Sequence, residues 1–82
     1  MKYKIVFEKR AEKFLRKQTP NNQQRLLQAI NELPHSGDIK TMVNQPGSFR
    51  LRVGTFRVIF TVEHEIITIH ILDIGNRGDI YK

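Results

Sequence analysis

The 82-residue chain sets 14 Lys and Arg against 8 Asp and Glu, a formal net charge of +6, and has no cysteine. That excludes a disulfide framework and thiolate metal ligation. It favours a polyanion or an acidic protein as partner. A chain this short is expected to form one domain, residues 1–82, around a thin core. No apolar run approaches the roughly 20 residues that cross a bilayer. The opening MKYKIVFEKRAEKF turns charged too early for a secretory signal. The expected address is therefore cytoplasmic.

Tyr3-Lys4-Ile5-Val6-Phe7 is β-branched and aromatic and reads as a strand. From Glu8 the period becomes helical, with Ala11, Phe14 and Leu15 inward and Lys9, Lys13, Arg16 and Lys17 outward. Residues 1–33 hold eight basic and three acidic residues. The outward cations read either as a solvated helix face or as part of a binding surface. Thr19-Pro20 predicts a second helix, with Thr19 as N-cap, Pro20 in the first turn and a stripe of Leu26, Leu27, Ile30 and Leu33. A tight connection makes the pair a helical hairpin.

Residues 34–48 are rich in Pro, Gly, Ser and Asn and read as a long loop, with Met42 and Val43 as its anchors to the core. Phe49-Arg50-Leu51-Arg52-Val53 alternates strictly, Gly54-Thr55 makes a turn, and residues 56–62 alternate again. After a polar turn at residues 63–65, a last strand is expected over 66–74, then a turn at Gly75-Asn76-Arg77-Gly78. The predicted fold is α+β, ordered β-α-α-β-β-β, with a mostly antiparallel four-stranded sheet and the helical hairpin on one face.

Strand alternation sorts the side chains. Phe49, Leu51 and Val53, with Phe56, Val58, Phe60 and Val62, face the helices. Arg50, Arg52 and Arg57 then share the open face. If Ile67, Ile69 and Ile71 are buried, Thr68, His70 and Leu72 join them. Arg77 follows the last strand and reaches its edge. Like charges on one sheet face repel, and guanidinium groups suit bidentate phosphate binding. The cluster reads as a phosphate-binding surface or as a face charged for solubility.

The run 47–60, Gly-Ser-Phe-Arg-Leu-Arg-Val-Gly-Thr-Phe-Arg-Val-Ile-Phe, resembles the central strands of RelE-family toxins. So does the ending Ile74-Gly75-Asn76-Arg77-Gly78-Asp79-Ile80-Tyr81, and Ala11, Lys13, Phe14 and Leu15 resemble the family's opening helix. The resemblance spans nearly the whole chain. It implies a microbial RNase-like fold and the toxin of a type II toxin–antitoxin pair. It further implies an endoribonuclease (an mRNA interferase) that cleaves messenger RNA in the ribosomal A site without a metal or cofactor.

By the same resemblance, Arg57 and Arg77 would bind the scissile phosphate, and Arg50 and Arg52 would hold flanking phosphates or ribosomal RNA. Lys40 and Lys82 would add RNA contacts. Tyr81 would stack on a base or orient the 2′-hydroxyl, or else simply close the core edge. Some relatives carry lysines where Arg50 and Arg52 stand, and arginine does not readily give up a proton. The general base is then unassigned, with His70 a candidate by parity and a structural histidine otherwise. The carboxy-terminal helix of some relatives is expected to be absent. Expected partners are a RelB-like antitoxin, the ribosome and mRNA. The alternatives are a ParE-type inhibitor of DNA gyrase and a non-catalytic RNA-binding relative.

Overall fold

Seven elements follow one another in the computed structural model, which describes residues 2–76: β1 (Lys4–Phe7), α1 (Lys9–Arg16), α2 (Pro20–Asn31), β2 (Asp38–Thr41), β3 (Ser48–Val53), β4 (Phe56–Glu63) and β5 (Thr68–Asn76). The strands form one sheet ordered β1-β5-β4-β3-β2. All neighbours are antiparallel except β1 and β5, which run parallel. The α+β class and the hairpin on one face are as expected from the sequence. The sheet has five strands, however, because Asp38–Thr41 pairs with β3 inside the segment read as loop.

An eight-residue helix such as α1 is too short to persist alone in water. It is held by Ala11, fully buried, and by Phe14, whose ring meets Phe56 edge-on at 6.0 Å. The α2 side chain of Gln23 donates to the carbonyls of Leu15, Arg16 and Gln18 at 3.1–3.3 Å. It thereby adds a donor to the carbonyls at and just beyond the end of α1, of which Leu15 also accepts from the Gln18 N–H at 3.1 Å. Thr19 caps α2 through its hydroxyl, which accepts from the Asn22 N–H at 3.2 Å. Leu26, Ile30 and Leu33 then pack on Leu51, Val58, Phe60, Ile69, Ile71 and Ile74 in a single core. Gly54 turns β3 into β4 at φ +58, and a Cβ there would stand 2.8 Å from the Arg25 guanidinium. The positive φ is what favours glycine here, since the flexible end of the Arg25 side chain could move aside.

Two sequence expectations fail at β5. The strand begins at Thr68, because Ile67 lies in the preceding turn at φ +49. Gly75 and Asn76 belong to the strand, not to a turn. The alternation also slips. Ile59 pairs with Asp73 but Phe60 with Ile71, so Leu72 is the extra residue of a β-bulge. The core face therefore passes from Ile69 and Ile71 to Ile74, and Asp73 takes the open-face place beside Ile59. Val43 is 93 % exposed and anchors nothing. Met42 is half-buried and lines a cleft that also includes Ile59.

Candidate nucleic-acid interface

Directly paired residues of antiparallel strands point to the same side. The register therefore reads the open face in rows. One row runs Asp38, Arg52, Arg57, Gly75. The next runs Lys40, Arg50, Ile59, Asp73. A third holds Ser48, Thr61 and His70, and Glu63 stands opposite Thr68 beyond it. Arg52 and Arg57 are immediate cross-strand neighbours, with Cβ atoms about 5 Å apart. Lys40 stands in the same relation to Arg50. Four cations thus occupy two adjacent rows. Gly75, opposite Arg57, adds no side chain to fill the place beside it.

Arg57 is only 6 % exposed, where sequence alternation alone predicts an exposed side chain. One of its terminal nitrogens, Nη1, donates to the Phe56 carbonyl at 3.4 Å. Its Nε is buried and has no hydrogen-bond partner among the described residues. An unsatisfied buried donor costs about 1–3 kcal/mol, more on a charged group. Arg52 directly opposite adds like-charge repulsion. An anion placed in the row would offset both penalties.

His70 does lie on the open face, but not with the arginines. Its partner Thr61 is four residues along β4 from Arg57, about 13 Å at strand rise. Its Nε2 lies 3.2 Å from Glu63 Oε1 and is enclosed. The contact lacks hydrogen-bond alignment, and it places the ring beside Glu63 at the far end of the face. Arg77, Tyr81 and Lys82 lie outside the described residues. Among the described residues no three His, Asp or Glu side chains converge as a metal site would need. No helix among them is long and apolar enough to cross a membrane.

Sequence reasoning missed Arg10, Glu63 and Asp73. Arg10 of α1 reaches the sheet, with Nη1 3.5 Å from Asp73 Oδ2. The signal for Asp73 was present in the apolar spacing. Isoleucines at 69, 71 and 74 share one face only if an extra residue interrupts the strand.

The arrangement of two helices on a five-stranded mixed sheet matches solved structures of RelE toxins. The chain superposes on RelE in the archaeal RelE–RelB complex from Pyrococcus horikoshii OT3 with a TM-score of 0.77 and 23% identity, covering 96% of this chain and 99% of that one. For the intact Escherichia coli RelBE toxin–antitoxin complex the values are 0.76 and 22%, over 93% and 98%. For the RelB–RelE complex from Methanococcus jannaschii they are 0.75 and 26%, over 93% and 94%. No curated protein matches the sequence. A family model described as ParE toxin of type II toxin-antitoxin system, parDE, matches residues 5–81. The chain belongs to this family, and it is a type II toxin of the RelE/ParE group.

Proposed function

We propose that this toxin is a metal-independent endoribonuclease that cleaves mRNA in the ribosomal A site. The observation that carries the reading is the buried Arg57 guanidinium, with an unsatisfied Nε and Arg52 as its neighbour. In the reaction the 2′-hydroxyl attacks the adjacent phosphorus and the bond to the 5′-oxygen breaks. A 2′,3′-cyclic phosphate forms, the 2′-hydroxyl gives up its proton, and the leaving oxygen takes one up to become a 5′-hydroxyl. Negative charge grows on the phosphoryl oxygens, where preorganised guanidinium groups act most strongly. Arg57 holds that phosphate together with Arg77. Arg52, Arg50, Lys40 and Lys82 hold the flanking strand, and Tyr81 stacks on an unpaired base. With His70 about 13 Å away along the strand, no base is assigned at the scissile phosphate. A RelB-like antitoxin is the proposed protein partner, and the cytoplasm, where mRNA is translated, is the proposed location.

The test is a purified translation reaction on a defined mRNA, with primer extension to find the cuts. Cuts that need the ribosome and fall within the A-site codon support the reading. Intact mRNA throughout would dispose of it. A second reading, inhibition of DNA gyrase, is favoured by the ParE description of the matching family model. A supercoiling assay run in parallel separates the two.

A further inference from the structure

Beside the arginine rows the open face carries a cleft of about 320 Å³ bounded by Arg10, Met42, Gln45, Ile59, Leu72 and Asp73. It falls at the small end of ligand pockets, about 300–1,000 Å³. The makeup suits one flat heterocycle. Ile59, 4 % exposed, lies among Met42 and Leu72 as apolar surface, and Asp73, Gln45 and Arg10 supply polar groups at its margin. Asp73 is there only because the bulge at Leu72 turns it to this side. Its carboxylate is 26 % exposed, and Arg10, at 78 %, meets it at 3.5 Å. Gln45 projects from a pinned turn: its N–H donates to the Met42 carbonyl at 3.4 Å and its carbonyl accepts from Ser48 N–H at 3.0 Å.

We propose that this cleft is a guanine-reading subsite, in which Asp73 accepts hydrogen bonds from the base's N1–H and N2–H while the Gln45 carboxamide donates to O6. The inference rests on the RNA-binding reading of the arginine face. An ionised carboxylate is an acceptor only. Among the four RNA bases, guanine alone sets two donors side by side next to an acceptor. Adenine and cytosine offer one amino donor beside a ring nitrogen that a carboxylate repels, and uracil offers one donor between two acceptors. Unstacked RNA bases are commonly read on this edge. Asp73 is two residues along β5 from Gly75, the partner of Arg57, so the subsite lies about 7 Å from the phosphate row. One nucleotide spans that distance.

The test is an NMR titration of the ¹⁵N-labelled protein with the 5′-monophosphates of guanosine, inosine, adenosine, cytidine and uridine. The guanosine nucleotide should shift the amides of Gln45, Ile59 and Asp73. Inosine lacks the N2 amino group, and its nucleotide should bind at least about tenfold more weakly. Asp73→Asn should erase the difference between guanosine and inosine and keep the phosphate response at Arg52 and Arg57. If that variant loses its dispersed spectrum, Gln45→Leu, on the exposed turn, should weaken the guanosine nucleotide several-fold with the phosphate response intact. Equal affinity for all five nucleotides, with shifts at the arginines, would overturn the subsite and leave RNA binding standing. No response at Arg50, Arg52 or Arg57 to any nucleotide would overturn the arginine-face reading, and the subsite with it.

Discussion

The same strands carry two opposite faces, and the two are built to different ends. On the helix side, Leu51, Val58, Phe60, Ile69, Ile71 and Ile74 are almost wholly buried against Ala11, Leu26, Ile30 and Leu33. Every change there should cost stability. On the open side, alternate residues of β3 and β4 set Arg52 against Arg57, and Arg50 of β3 stands beside Lys40 of β2 in the next row. Asp38 opposite Arg52 offsets part of the charge, but the Arg52–Arg57 pair does not help the sheet to fold. Like charges oppose across strands, and a buried guanidinium donor lacks a partner among the described residues. One face specifies the fold, and the other holds a locally unfavourable constellation that, on the proposed function, a bound phosphate would relieve. Removing residues from the two faces should therefore move stability and activity in different directions.

The largest effect is expected on the helix side. Phe60→Ala empties the centre of the core and should destabilise the domain by about 3–5 kcal/mol. In a chain of this size that leaves little folded protein at 37 °C, which a thermal melt followed by circular dichroism would show. The sharpest contrast comes next. Arg57→Met should lower cleavage by about a hundredfold or more, as does loss of a transition-state donor elsewhere. It should also leave the melting temperature unchanged or raise it by about 4–8 °C, the shift that ~1 kcal/mol produces in a domain of this size. A melting temperature lowered by ten degrees would mean that Arg57 is a structural residue and would erase the distinction between the faces.

How far the two faces could be read from the sequence depended on regularity. Phe49–Val53 alternates strictly, and residues 56–62 do so except at Ile59, so Arg50, Arg52 and Arg57 could be assigned to one side from the sequence alone. Thr19-Pro20 announced the start of α2 with equal clarity. β2 was hidden because Asp38-Ile39-Lys40-Thr41 is short and sits among turn residues, and its pairing with β3 is what places Lys40 beside Arg50. Asp73 was lost to the bulge, which shifts the phase of β5 at Leu72. The burial of Arg57 was out of reach, since alternation gives the face of a side chain and not what comes to lie over it. The placing of His70 some four residues from Arg57 depended on the strand register, which no local pattern in β5 specifies.

Two smaller effects refine the contrast. Thr19→Ala removes the N-cap of α2 and should cost about 1 kcal/mol, with cleavage per folded molecule unchanged. Lys40→Ala, at an exposed site, should leave stability within about 0.5 kcal/mol. It should reduce the slope of log affinity against log salt for single-stranded RNA by about 0.7, the share of one phosphate contact. An unchanged slope would confine the RNA track to the inner strands.

The most direct measurement is the side-chain Nε–H resonance of Arg57, followed by ¹⁵N NMR as a short oligoribonucleotide made uncleavable by one 2′-deoxy sugar is added. A phosphate accepting that hydrogen should move the resonance downfield and slow its exchange with water, in step with binding. If the RNA binds while the Arg57 Nε–H resonance stays where it was and the shifts gather on the lysines of α1, the arginine row is not where the phosphate sits.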